Sequence, residues 1–593
     1  MSPIGTRAVR VFDRRDRKGS CPFLRNSVQV LRSANAHLDG KTMISNLRAI
    51  DLYSGVGGWS LGLRLAGIDV ISSYELWGPA NETNFKNNAH QAQTVDIRRL
   101  SLDDLPPDID IVVGSPPCTQ FSFSNRGGGG NLEDGLRDIK KFLAIVDHLK
   151  PRFWAMENVP RVSKIIDAEL ELGGKLAEFR HLGCATHIVD MSEYGLPQRR
   201  RRCIAGNFDF KKLQAYRTEV KTHTLGDVIA ALSAEPVADP LFGVSVPREE
   251  LSDHVKEDVL SEEEVRINRA NKTTHVIYNA MPFPDALDRS VRTITATCTR
   301  VSRESVVIPA EGSPTDFRRL TLRERACLQG FPITFQFYGS SYSQKLRMIG
   351  NAVPPAFSYL MGKVLNDQEI DDDLDLKTAS RGLTRPKPIP IDTPPDRVGA
   401  RYPANRSFRF AVPSLQLKSG VRFELRNDTS ADFVSWQVYF YFGTSKQIKS
   451  LQLDSDLYHH MIESMTDELA NTVSSVTCSA LTFARSADIA NMQTVWTHKG
   501  PGGTRPFMLL DALDEAGSLL IESLIPYEEE AKGLVDAALL QQHPDASEEL
   551  PGVAKLHRNS VLIIAGLLLG SSLNPVLAQK SRPPAFHTKA NKS

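Results

Sequence analysis

Cys118 stands in the run Gly114-Ser115-Pro116-Pro117-Cys118-Thr119-Gln120-Phe121-Ser122. A lone cysteine is ordinarily a small core residue. Two prolines just before it change that reading, because they fix the backbone and donate no hydrogen bond. The thiol is then presented from a rigid turn at the end of the apolar run 109–113. Glu157 opens Glu157-Asn158-Val159-Pro160 and places a carboxyl at the end of a second apolar run, 153–156. In Gln198-Arg199-Arg200-Arg201-Arg202-Cys203, an extended backbone puts Gln198, Arg200 and Arg202 on one face and Arg199 and Arg201 on the other. Because this run leads into the apolar residues 203–205, one of its faces is expected to point inward. A thiol, a carboxyl and a guanidinium pair suit nucleophilic catalysis assisted by acid and cation. Gly127 to Gly130 form a glycine loop suited to closing over a bound substrate.

These groups need elements to hold them. Residues 47–52 read as a buried strand that ends in Asp51-Leu52-Tyr53-Ser54-Gly55-Val56-Gly57-Gly58. Glycines there let the backbone turn sharply and approach a ligand. The spacing is not the dinucleotide pattern, which argues against a pyrophosphate cofactor. A helix is expected over 59–66 and a second strand over 69–74, ending at Glu75. An acid at that place accepts hydrogen bonds from ribose hydroxyls in doubly wound nucleotide sites. Asp96-Ile97, after a third strand, is placed to contact an adenine amino group. Strands alternating with helices predict an α/β fold, a doubly wound and mostly parallel sheet, with ligands at the carboxyl ends of its strands.

Around this core the chain of 593 residues divides further. Residues 1–46 read as a flexible, Arg-rich arm. Residues 47–208 and 288–365 form the two parts of the α/β domain, interrupted at 209–287 by a small inserted domain. An acidic and Pro-rich linker spans 366–404. An accessory α+β domain follows at 405–575, in which Val434, Trp436, Val438 and Phe440 alternate onto one strand face, and 576–593 form a disordered tail. With 71 basic against 70 acidic residues, a nucleic-acid partner must rely on local basic surface. The seven cysteines make no CxxC pair and no zinc spacing, so neither metal nor disulfide framework is expected. No segment reaches the ~20 apolar residues of a membrane span, and the apolar run 561–569 is expected to be a buried helix or strand.

Residues 47–365 resemble the bacterial cytosine carbon-5 DNA methyltransferases. The motifs fall in family order: DLYSGVGG, Glu75, Asp96-Ile97, GSPPCTQFS, ENVP, YGLPQRRRR, Arg292-Thr293-Ile294-Thr295, and Ile349-Gly350-Asn351-Ala352-Val353-Pro354-Pro355. The resemblance implies Cys118 as nucleophile, Glu157 as the acid on the N3 edge of the target cytosine, and Arg200 and Arg202 as the basic pair beside it. It implies S-adenosylmethionine as methyl donor, held by Asp51, Tyr53, Ser54, Gly55, Gly57, Gly58, Glu75, Leu76, Asp96, Ile97, Pro116, Asn351 and Val353. Residues 209–287 then correspond to the target-recognition domain, and the implied partners are duplex DNA and a cognate restriction endonuclease, with a monomeric, cytoplasmic enzyme. The chain departs from the family at Tyr53, where Phe is usual, at Thr119, where Gln is commoner, and at Leu76, where some members carry a stacking Trp. Three other readings are a transfer-RNA carbon-5 methyltransferase, an inactive DNA-binding homologue and a nicotinamide oxidoreductase. The inserted reader domain, the intact Cys118, Glu157 and Arg202, and the glycine spacing argue against each in turn.

The chemistry implied by the resemblance explains the residue types. A thiolate added at carbon 6 makes carbon 5 of cytosine nucleophilic. The thiolate must be favoured near neutral pH, and Arg200 and Arg202 are expected to supply the cationic bias. Both faces of the ring must be reached, so the base must leave the duplex stack.

Overall fold

A computed structural model of the chain describes residues 46–118, 121, 131–274, 280–366, 376–387, 393–396, 404–416, 422–430, 434–444, 447–498, 504–543 and 553–581. The expected N-terminal arm, the loop Gly127 to Gly130 and the tail beyond 581 lie outside the described residues. From residue 47 onward the chain forms one compact unit.

The α/β part begins with β1 (Arg48–Leu52), α1 (Gly58–Leu65), β2 (Asp69–Glu75), α2 (Gly78–Asn88), β3 (Gln91–Thr94), β4 (Ile111–Gly114), α3 (Leu132–Leu149), β5 (Phe153–Asn158) and α4 (Arg161–Glu169). It continues through β6 (Ala185–Asp190), β7 (Gln198–Arg199) and β8 (Arg201–Gly206). Seven of these strands form one sheet in the order β3-β2-β1-β4-β5-β8-β6. The pairs among β1 to β5 are parallel, and β8 runs antiparallel to both β5 and β6. The expected doubly wound, mostly parallel sheet is what forms. Its strands are near-continuous apolar runs because both sheet faces are covered: β4 is buried at every position and β1 at all but its first.

Register decides what meets at the sheet edge. Tyr74, Leu52, Gly114 and Met156 are partners across successive parallel strands. Each strand therefore ends level with its neighbour, and the residues just beyond these four (Glu75, the turn from Tyr53, the run to Cys118, and Glu157) share one edge. β8 runs the other way, so its first residues, Arg201 and Arg202, arrive at that edge too.

The described residues of the inserted region, expected at 209–287, join clusters shared with the rest of the chain. Leu225, Val228, Leu232, Val237, Val246 and Leu251 belong to one cluster with residues 291–352, while Leu213 and Tyr216 pack with the sheet. The linker also departs from the expected extended chain. Leu376, Ala379 and Leu383 pack on the α/β core, and the Gly382 carbonyl accepts from Arg64 Nη1 at 2.7 Å.

The C-terminal region forms the expected α+β domain. A four-stranded antiparallel sheet, Arg409–Ala411, Arg422–Asp428, Ser435–Thr444 and Gln447–Leu451, packs one face on helices. Trp436, Val438 and Phe440 are buried on that face, as the alternation predicts. The central helix Ser560–Lys580 corrects two expectations. It runs five residues past 575, and by length and composition it is apolar enough to cross a membrane. Here it is the core helix of the domain, with Ile564, Leu567, Leu568 and Leu569 fully buried.

Candidate active site

The Gly-rich turn is built by β1 and capped by β2. Tyr53, Gly55 and Gly57 all take positive φ, at 53°, 53° and 84°. The Gly55 N–H donates to Glu75 Oε2 at 2.9 Å, and the Trp77 N–H donates to Oε1 at 2.7 Å. Glu75 is thus oriented by backbone, with lone pairs left on both oxygens for a ligand. A Cβ on Gly55 would meet no atom within 4 Å, so the turn is open above that residue. Gly58 is closed: an added Cβ would lie 1.9 Å from the Val353 carbonyl oxygen. That contact, with Ser358 Oγ donating to the Gly58 carbonyl at 2.6 Å, lays the helix Pro355–Leu365 against α1. Val353 is buried in this packing, whereas Asn351 is exposed at the end of the preceding helix.

The other expected donor-site residues fall into distinct places. Asp51 is fully buried, and its Oδ2 accepts from Ser60 N at 3.1 Å and Ser60 Oγ at 2.6 Å. It braces the start of α1 from below. Burial pushes its carboxyl up to about 7. Tyr53 donates its hydroxyl to Asp138 Oδ1 at 3.2 Å, and the same carboxylate takes a bidentate fork from Arg98 at 2.8 and 2.7 Å. The hydroxyl by which Tyr53 departs from Phe therefore has a buried partner. Asp96 accepts from the Arg98 N–H at 3.1 Å at the start of a short turn, and Ile97 is buried beneath it. Leu76 is 66% exposed. Trp77 is held by the Arg347 guanidinium 4.6 Å from its ring centre, so the exposed apolar surface beside Glu75 is the leucine's.

At the adjacent strand ends, Cys118 is partly exposed while Pro116 is buried. The Pro116 carbonyl accepts from Asn158 Nδ2 at 3.0 Å, which ties the cysteine turn to the end of β5. Trp59 Nε1 donates to Ser115 Oγ at 3.1 Å, tying the same turn to α1. Glu157 is 6% exposed and pairs with Arg202, Nε to Oε1 at 2.9 Å. The alternation expected for the arginine run holds: Gln198 and Arg200 are buried, Arg202 half-buried, Arg199 and Arg201 exposed.

The structure separates the two arginines. Arg202 faces Glu157. Arg200 is buried, and its Nη2 donates to the carbonyls of Gly350 (3.3 Å) and Ala352 (3.0 Å). Its Nε and Nη1 have no hydrogen-bond partner among the described residues. Burial and the nearby Arg202 charge bring its guanidinium down to about 9. Both cations pull the thiol down, as expected, but the expectation that this bias suffices is corrected. Burial, then the Glu157 charge, raises the Cys118 thiol above its ordinary value, and this outweighs Arg202 and Arg200. The reason is that Arg202 is neutralised by Glu157 while the sulfur has lost much of its water.

Several supporting residues escaped the sequence reading. Asn158 was visible only as the neighbour of Glu157. Gln198 donates to Gln329 Oε1 at 2.7 Å and accepts from Ile294 N at 2.7 Å, and Gln329 donates to the Ala352 carbonyl at 2.6 Å. Nothing in the spacing of these glutamines announces a shared role, because their meeting depends on the late segments folding back onto β7.

The family model for C-5 cytosine-specific DNA methylases matches residues 47–366. The Type II methyltransferase M.FnuDI of Fusobacterium nucleatum is 25% identical over 337 residues, covering 55% of this chain and 96% of that protein. The Type II methyltransferase M.AplI of Arthrospira platensis is 29% identical over 335 residues, covering 54% and 85%. Among solved structures, the S. pombe Dnmt2 methyltransferase aligns with a TM-score of 0.37 and 19% identity, covering 54% of this chain and 99% of that one.

Proposed function

The chain belongs to the family of C-5 cytosine-specific DNA methylases and is a DNA cytosine-5-methyltransferase, and from that premise we propose that Cys118 attacks a cytosine swung out of a specific duplex sequence. The observation that carries this reading is the convergence of Cys118 with the Glu157–Arg202 pair at adjoining strand ends. S-adenosylmethionine supplies a methyl group on a positively charged sulfur.

The Cys118 thiolate adds its electron pair to carbon 6 of the ring. Electron density moves toward N3 and O2; a proton taken up from water as the base binds and held between N3 and Glu157 balances the charge at N3, and the Arg202 guanidinium balances it at O2. One such group is worth ~10²-fold or more in rate. Carbon 5 becomes nucleophilic and its electron pair takes the methyl, while the pair of the broken methyl–sulfur bond stays on the sulfur and a neutral thioether leaves. A base then removes the carbon-5 proton; the electrons re-form the carbon 5–carbon 6 double bond and expel the thiolate. Arg200 does not touch the base in this scheme. It straps the base pocket to residues 350–352, which flank the donor turn through Val353.

The raised thiol gives the free enzyme a mostly protonated, unreactive sulfur. Reactivity appears once Glu157 is occupied by the base and no longer weighs on the sulfur. For the donor, the open space above Gly55, the oriented Glu75 and the exposed Leu76 fit an adenosine: acceptors for ribose hydroxyls and an apolar surface for the ring. Duplex DNA is the proposed partner, read by residues 209–287, whose packing against 291–352 joins recognition to the site. A cognate endonuclease is proposed from the type II designation of M.FnuDI and M.AplI, and a cytoplasmic, monomeric enzyme follows from the same reading.

Duplex oligonucleotides carrying 5-fluorocytosine test the scheme, because fluorine cannot leave as a proton does. The expected result is a donor-dependent covalent adduct through Cys118, on the sequence that bisulfite sequencing of DNA from expressing cells identifies. A donor-loaded enzyme that methylates DNA without forming such an adduct overturns it.

A further inference from the structure

Beneath the donor turn lies a layer of asparagine amides that the catalytic scheme does not use. α2 buries Asn81, Asn84, Asn87 and Asn88, although asparagine is a weak helix former because its amide competes for backbone groups. The direction of the hydrogen bonds follows from one fixed point. The Gly57 carbonyl can only accept, and Asn88 Nδ2 donates to it at 3.3 Å. The same Nδ2 donates to Asn84 Oδ1 at 2.8 Å. This fixes the Asn84 amide in turn, with Nδ2 toward Ser54 Oγ at 3.3 Å and Ser73 Oγ at 3.0 Å.

An amide NH₂ has hydrogens and no acceptor. Ser54 Oγ therefore accepts, and its own hydrogen is left to be donated elsewhere. The turn sits directly on these amides: a Cβ on Gly57 would lie 2.0 Å from Asn84 Oδ1. Beside these amides, His90 approaches Ser73 Oγ at 2.9 Å, and burial brings it down to about 4, so it adds no charge at neutral pH.

We propose that Asn84 and Asn88 are positioning residues for the methyl donor, setting the Ser54 hydroxyl as a hydrogen-bond donor to the carboxylate of the donor's amino-acid end. A hydroxyl held in donor sense suits an anion, and the carboxylate is the anionic group S-adenosylmethionine carries. The turn also leads into the N-terminus of α1, whose first turn has no acidic residue and whose dipole favours negative charge. Glu75 offers acceptors instead and suits hydroxyls. This inference rests on the reading that residues 53–58 hold the donor.

The test compares calorimetric binding of S-adenosylmethionine with that of its decarboxylated analogue, without DNA or turnover. The wild-type chain is expected to prefer the carboxylate-bearing compound. That preference should fall roughly tenfold in Ser54→Ala, since a hydrogen bond to a charged group is lost. It should fall in Asn84→Ala, and no further in the double variant than in Ser54→Ala alone. A merely structural asparagine would weaken both compounds equally and leave the ratio intact. An unchanged ratio in Ser54→Ala overturns the proposal, whether or not Asn84→Ala folds, as does an Asn84 effect that persists in full on the Ser54→Ala background. A wild-type chain that binds neither compound refutes the donor-site reading itself, and this inference with it.

Discussion

Replacing Glu157 by Gln moves two observables in opposite directions. The carboxylate accepts from Arg202 at 2.9 Å, and both side chains are largely buried, 15% and 8% exposed. Gln keeps an acceptor for Arg202 but leaves its charge unpaired. Removing a partner from a buried pair costs ~3–5 kcal/mol, and the retained hydrogen bond should hold the loss to about 1–2 kcal/mol. Turnover loses the transferable proton that Glu157 shares with N3, which an amide NH₂ cannot give up, and should fall ~10²- to 10³-fold. The resting thiol should gain. Glu157 is the second influence, after burial, that raises the Cys118 thiol. Removing an ion–ion interaction of at least about 1 kcal/mol, the fully water-screened value at about 4 Å, multiplies the thiolate population about fivefold or more. Iodoacetamide alkylation of Cys118 in the free enzyme at pH 7.5, followed by mass spectrometry, measures one quantity; methyl incorporation into duplex DNA measures the other. If alkylation slows, or turnover survives, the electrostatic account of this site is wrong.

Other substitutions probe other parts of the molecule. Cys118→Ala should abolish both methyl transfer and the 5-fluorocytosine adduct while leaving calorimetric donor affinity within about twofold, since the thiol is a bond-forming group rather than a donor contact. In the wild type, the alkylation rate of Cys118 should keep rising with pH beyond 9, because the thiol is raised above that ordinary value; a plateau near pH 7 would contradict it. Asp51, buried and raised from 3.8 to about 7, binds its proton more tightly folded than unfolded. Its contribution to stability is therefore present at low pH and is lost as pH climbs from about 4 to 7, by about 4 kcal/mol. Asp51→Asn should remove that slope, as chemical denaturation at pH 5 and pH 8 would show.

The sequence carried the α/β part well, because its information is local. An apolar run with a functional residue at its end states both the strand and the site, and Glu75, Cys118 and Glu157 all obey that rule. The arginine run was equally legible: a period of two assigned Arg200 inward and Arg201 outward. What the period could not say is that Arg200 would be consumed by the carbonyls of Gly350 and Ala352, 150 and 152 residues away in the chain. Nor could it say that Arg202 would be neutralised by Glu157. Counting cations near Cys118 gave the wrong sign for the thiol, since desolvation depends on packing that spacing does not encode. The burial of the α2 asparagines has no signal in their spacing for the same reason. The run 561–569 is buried as its composition predicts, but the small and polar residues after it hid the extension of the helix to 580.

The same distinction bears on the C-terminal domain, which the family resemblance does not reach. Ile267 and Val301, from the methyltransferase part, belong to the apolar cluster of Phe408, Trp436, Leu513 and Leu568. Arg266 pairs with Asp511 and lays its guanidinium 5.0 Å from the Phe507 ring centre. The segment that reaches into that core is anchored on its other side: Asn268 and Asn271 donate to the carbonyls of Arg300 and Val301, each at 2.7 Å. A few residues earlier, Gly350 is so close to Ala296 that a Cβ would lie 2.2 Å from its nitrogen. Removing residues 404–593 would thus expose Ile267 and Val301, each worth ~1.5–3 kcal/mol of burial, in the stretch that abuts the carbonyl held by Arg200. A truncated chain should therefore lose thermal stability and turnover together. Arg266→Asp should reproduce a milder loss that Asp511→Arg, added to it, restores, as paired thermal melts and methylation rates would show. Rescue by the charge swap would establish that the two parts act as one body; full activity of the truncated chain would show instead that the domain is cargo.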